Sequence, residues 1–140
     1  MNPRENIRAL CDTINVAPKY FKQIRDRKKT VEGRLAKEKF SAMQVGDLLE
    51  FVSGGDRILT KILEIKKFPT FKEMLEYYGV NQCLPGIDNL DEAVSIYHAF
   101  PGYRDAEVLL GVLGIKVALV NVTLTCTESS GPIATKNIEK

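Results

Sequence analysis

Arg27-Lys28-Lys29-Thr30-Val31-Glu32-Gly33-Arg34-Leu35 sets a basic cluster, a hydroxyl, a carboxylate and a further guanidinium side by side. From Thr30 to Leu35 the segment reads as a strand. Alternation puts Thr30, Glu32 and Arg34 on one face and Val31 and Leu35 on the other. One face is therefore polar and chemically varied, and the other can meet a core. Gly33 leaves room for close approach by backbone or ligand.

Working back from this stretch, Ala17-Pro18 is a break, and Pro18 suits the first turn of a helix. Tyr20, Phe21 and Ile24 then make a narrow apolar stripe between Lys19 and Lys28. Thr13 to Val16 reads as a brief strand, and residues 3–12 as a short helix. Working forward, Ala36 to Gln44 is a polar connection. Leu48 to Val52 and Arg57 to Ile65 read as antiparallel strands joined by a hairpin at Ser53-Gly54-Gly55-Asp56. The second strand is expected to face the core with Leu59, Leu63 and Ile65, and Pro69 ends it.

Thr70 and Asn89 each stand three residues before a glutamate, Glu73 and Glu92, which predicts two capped helices. Phe71, Met74, Leu75 and Tyr78 form the stripe of the first, and Leu90, Ala93, Val94 and Tyr97 that of the second. Pro101-Gly102 closes the second helix, and Tyr103 follows in a loop. Gly111 to Leu124, rich in Val, Ile and Leu, reads as strand. Residues 125–140 read as a flexible tail. Helices cluster between strands without βαβ alternation, so the fold class is α+β around an antiparallel or mixed sheet, or a barrel.

A chain of 140 residues suits one domain. Residues 19–39 hold nine Lys/Arg against three Asp/Glu, a local excess of +6 in a chain of net charge +2, leaving −4 for the rest. A basic patch on a mildly acidic body suits a phosphate-bearing ligand; a solvated lysine-rich helix face is the alternative. No apolar run reaches the roughly 20 residues that span a bilayer, and residues 2–6 lack the apolar core of a signal sequence. Cys11, Cys83 and Cys126 are too widely spaced for a zinc site and odd in number, so buried or inert thiols in a cytoplasmic setting are expected. His98 lacks companions for a metal site. No cofactor motif and no metal site is expected.

At Lys29-Thr30-Val31-Glu32-Gly33-Arg34 the chain resembles an ASCH domain, a small β-barrel module related to PUA domains. The resemblance continues in order through Val45-Gly46-Asp47-Leu48-Leu49-Glu50-Phe51, Phe68-Pro69-Thr70-Phe71-Lys72-Glu73-Met74-Leu75, Leu84-Pro85-Gly86, Tyr97 to Tyr103, and Gly111-Val112-Leu113-Gly114-Ile115. It covers about residues 13–122. The domain expected on this basis runs 13–124, after an N-terminal extension, 1–12. The resemblance implies a PUA-like small β-barrel with flanking helices, whose cleft, bordered by Lys29 to Arg34, binds RNA or a modified nucleoside or nucleotide. One ASCH branch deacetylates acetylcytidine with a Lys, a Thr three residues later and a distant Glu. Lys29 matches the Lys; Glu32 stands where that branch has Thr, and the region of the Glu offers Asp88.

These residues carry several possible roles. Lys29 can neutralise phosphate or, desolvated, serve as an acid–base group. Glu32 can accept from a base edge, act as general base toward water, or hold Lys29 and Arg34 in place. Arg34 can bind phosphate bidentately or stack on a base. Thr30 can hydrogen-bond a ligand or simply favour a strand. Tyr103 and Arg104 can supply aromatic and cationic contact, whereas Tyr97 completes a helical stripe and belongs to the core. Three functions compete. The first is an RNA- or nucleotide-binding domain using Lys29, Thr30, Glu32, Arg34, Tyr103 and Arg104. The second is an amidohydrolase or ribonuclease with Lys29 and Glu32 as the catalytic pair. The third is a protein adaptor using the basic helix 19–28.

Overall fold

The structure, a computed structural model, describes residues 11–120. The elements in order are β1 (Cys11–Asn15), α1 (Pro18–Arg25), β2 (Val31–Leu35), a 3-10 turn (Glu38–Phe40), β3 (Leu48–Ser53) and β4 (Asp56–Phe68). They continue with α2 (Phe71–Tyr78), α3 (Val80–Cys83), α4 (Leu90–His98), α5 (Tyr103–Leu110) and β5 (Val112–Leu119). The class is α+β, as expected.

One sheet carries the fold, in the order β1-β3-β4-β5-β2. β1 runs parallel to β3, and the other neighbours are antiparallel. β4 is the organising strand. Its first half pairs with β3 and its second with β5, and the register slips between Ile62 and Glu64. A bulge there bends the strand and increases twist, which curls the sheet. The bulge also corrects the expected facing of β4. Ile62 and Thr60 turn inward, while Leu63, the inserted residue, is 46% exposed.

The curl stops at a half-barrel. β1 and β2 remain the two ends of the sheet and form no ladder with each other, so the expected closed barrel is not reached among the described residues. A side chain spans the seam instead: Arg34 Nη2 donates to the Asn15 carbonyl at 2.9 Å.

Each face of the curled sheet buries an apolar cluster. Ile14, Leu49, Phe51, Ile62, Ile115 and Val117 pack with Ile24 of α1 and with Phe40 and Met43. On the other face Val31, Leu35, Phe68 and Val112 meet Phe71, Met74 and Leu75 of α2 and Tyr97 of α4. Both predicted caps form. Thr70 Oγ1 accepts from the Glu73 N–H at 3.1 Å, and Asn89 Oδ1 from the Glu92 N–H at 2.9 Å.

Two further expectations change. Residues 11 and 12 belong to β1, not to a helix over 3–12; the rest of that segment lies outside the described residues. Tyr103 opens a helix, α5, rather than sitting in a loop. Cys11 is exposed, whereas Cys83 is buried. The tail at 125–140 and Cys126 lie outside the described residues. No helix among the described residues is long and apolar enough to cross a membrane.

Candidate functional site

The seam between the end of β1 and the free edge of β2 opens into a cavity of about 240 Å³. Its floor is Glu32, Gly33 and Arg34. One wall is Asn15, Val16, Ala17 and Tyr20; the other is Phe100 and Tyr103, with Leu84 and Lys29 closing it. The expected polar face of β2 therefore borders a cleft.

Lys29 is 4% exposed. It precedes β2 and folds its ammonium back under the strand edge. Nζ donates to the carbonyls of Val31 at 2.9 Å and Cys83 at 2.6 Å, and lies 3.5 Å from Glu32 Oε1. Two of the three N–H groups of the ammonium are thus taken by main-chain carbonyls, and Glu32 forms an ion pair with it. It also sits 5.5 Å from the centre of the Tyr20 ring. Glu32 Oε2 accepts from Arg34 Nε at 2.6 Å. The carboxylate is thus held between two cations, and the Lys29–Glu32–Arg34 row keeps one net positive charge. Two cation contacts leave part of its lone-pair capacity open toward the cavity.

The aromatic walls are braced from behind. Tyr103 stacks on Phe71 at 5.7 Å between centroids and 6° between planes, and Phe71 stacks on Tyr97 at 4.4 Å and 8°. Burial raises the Tyr103 phenol above its ordinary pKa, with Arg34 opposing the shift and Glu32 adding to it. Burial, and then Glu32, does the same to Tyr20. Both phenols therefore stay neutral donors near pH 7. Tyr97 is core, as its place on the helical stripe implied.

Other candidates stand apart. The Thr30 hydroxyl donates to the Gln82 side-chain oxygen and borders a second groove of about 350 Å³, on the far side of Lys29, with Arg27 and Lys116. Arg104 is exposed and does not line the first cavity. Asp88 is also exposed and outside it. His98 Nε2 lies 2.9 Å from Glu107 Oε1, and Glu107 Oε2 accepts from the Phe71 N–H at 2.6 Å, tying α4, α5 and α2 together. The sequence did not single out Tyr20, Phe100 or the Asn15 carbonyl as site groups. Tyr20, an aromatic residue on a basic helix, carried the one available signal.

The ASCH domain family model matches residues 14–119. The chain belongs to the ASCH domain family. The ASCH match runs from the end of β1 to the end of β5 and so includes every residue that lines the cleft. No curated protein matches the chain significantly. The ASCH chain is similar to the crystal structure of hypothetical protein PH0355, with 31% identity, a TM-score of 0.73 and coverage of 79% of this chain and 100% of that one. It is also similar to the solution structure of protein PF0455 from Pyrococcus furiosus, with 28% identity, a TM-score of 0.66 and coverage of 80% and 99%.

Proposed function

We propose that this ASCH domain binds single-stranded RNA or a modified nucleotide by taking one base into the seam between β1 and β2. The observation that carries the reading is the composition of one small cavity. It combines an aromatic wall, Tyr103, with a carboxylate fixed between Lys29 and Arg34. A cavity of about 240 Å³ falls just under the usual range for drug-sized ligands, roughly 300–1,000 Å³, which suits a single planar ring system. Stacking and base-edge hydrogen bonds are how unpaired bases are held, and excess positive charge attracts the backbone that carries them.

The same geometry weighs against hydrolysis by Lys29 and Glu32. A buried lysine that donates to two main-chain carbonyls and pairs with a carboxylate acts as a structural cation rather than a free acid–base group. Asp88, which this chain offers in the region where the amidohydrolase branch has its Glu, lies outside the cavity.

The test is a fluorescence-anisotropy titration of a labelled single-stranded RNA across a salt series. Wild type binds with affinity that falls as salt rises. Tyr103→Ala and Arg34→Glu weaken binding while keeping a wild-type circular dichroism spectrum. Wild-type affinity in both variants would end this reading.

A further inference from the structure

Lys29 lines two openings, the seam cavity and the groove of about 350 Å³ on its far side. Three parts of the chain contribute to both in step. α1 gives Tyr20 to the cavity and Ile24 to the groove, one turn or roughly 6 Å further along the helix. The segment around α3 gives Leu84 to the first and Gln82 to the second. The chain at β2 gives Glu32 to Arg34 and then Thr30. The two openings thus follow one another along β2.

Their cations are in different states. In the cavity, Lys29 and Arg34 both pair with Glu32. In the groove, Arg27 and Lys116 are exposed, and among the described residues neither forms an ion pair. No acidic residue lines the groove. Glu64, opposite Lys116 across the β4–β5 ladder, accepts instead from the Tyr78 hydroxyl at 2.8 Å. The Thr30 hydroxyl donates to the Gln82 side-chain oxygen, which leaves the Gln82 amide nitrogen as a donor. Two cations without a counter-ion and an amide donor suit phosphoryl oxygens.

Arg27 also stands where the backbone favours a different residue. At φ 63° it is the one non-glycine with positive φ among the described residues. Its N–H donates to the Ile24 carbonyl as α1 ends, a position that glycine fills most readily. The fold therefore keeps a guanidinium at the groove at a conformational cost that glycine would avoid.

We infer that this groove holds a phosphate of the RNA strand whose base enters the seam, with Arg27 and Lys116 as the binding cations. The inference rests on the nucleic-acid reading above and divides the work of that site. The seam takes a base, and the groove takes backbone charge that the Glu32-paired cations are less free to neutralise.

The experiment titrates labelled octauridylate with the whole chain across a salt series, beside thermal unfolding of each variant. Arg27→Gly and Lys116→Gln should each weaken binding and lower the slope of log affinity against log salt by about 0.7, the value of one phosphate contact on a single strand. Lys72→Gln, at an exposed lysine that lines neither opening, should leave the slope unchanged. Arg27→Gly should unfold at or above the wild-type temperature, since glycine accepts the left-handed backbone. A wild-type slope in either groove variant, while Tyr103→Ala still loses binding, would overturn the phosphate site and leave the base cavity standing. An equal loss in Lys72→Gln would mean diffuse attraction and overturn it too. So would a lower unfolding temperature in Arg27→Gly, which would show that Arg27 serves the end of α1. No binding of the RNA by wild type would overturn both readings.

Discussion

Lys29 and Cys83 are joined by a hydrogen bond of 2.6 Å from an ammonium to a main-chain carbonyl, across 54 positions of sequence. The bond fastens the entry of β2 to the end of α3, and the same ammonium holds Glu32. Replacing Lys29 with Met leaves Glu32 buried beside one cation instead of two and strips both carbonyls of their donor. Breaking a buried ion pair from one side costs about 3–5 kcal/mol. Urea denaturation of Lys29→Met should show a loss of that order. An unfolding midpoint matching wild type would mean the ammonium is not structural.

Gly33 is fixed by packing as well as by its place at the cleft. A Cβ there would come within 2.8 Å of Met74 Cε and 3.1 Å of the Tyr97 hydroxyl. Gly33→Ala should therefore destabilise by about 1–3 kcal/mol, the usual cost of overpacking a filled core. Thermal unfolding by calorimetry checks it. An unchanged midpoint would show that Met74 swings aside freely.

The thiols should differ sharply in reactivity. Burial raises the Cys83 pKa to about 12, with Lys29 opposing and Glu32 adding to the shift. The ordinary thiol value is 9.0. The fold therefore favours the neutral thiol. That contribution to stability is present below about pH 9 and is lost as pH rises through about 12. Iodoacetamide at pH 8 followed by peptide mapping should find Cys11 modified and Cys83 intact in folded protein. Rapid alkylation of Cys83 under those conditions would contradict its burial.

Glu107 ties the aromatic wall together by accepting from the Phe71 N–H and pairing with His98. Glu107→Ala strands the buried Phe71 N–H, while the partly exposed His98 can turn to water, and an unsatisfied buried group costs about 1–3 kcal/mol. Besides lower stability, RNA affinity should drop, because α5 carries Tyr103 onto Phe71. Lower stability with unchanged affinity would show that the wall does not depend on this tie.

What was legible in the sequence was mostly local. The caps at Thr70 and Asn89, the hairpin at Gly54-Gly55 and the alternation in β2 each depend on neighbouring residues. α5 was missed because Gly102, in the left-handed region at φ 79°, starts it with no capping side chain. In addition, Val108 and Leu109 are 82% and 84% exposed, so the helix carries no clean inward stripe. The parallel pairing of β1 with β3 and the bulge at Leu63 depend on contacts far apart in the chain. The same holds for the site. Lys29, Glu32, Arg34 and Tyr103 do meet at one cavity, whereas Thr30 turns to Gln82 and Arg104 to solvent. Residues sharing one face of an isolated strand need not share a cavity once its edge is built into a curled sheet.

The most direct measurement is ultraviolet cross-linking of a single-stranded RNA to the whole chain, with the adduct mapped by mass spectrometry. The seam reading predicts adducts at Tyr103, Phe100 or Tyr20, lost when unlabelled RNA competes. Adducts confined to the groove at Arg27 and Lys116, or to the exposed basic face of α1, would contradict it.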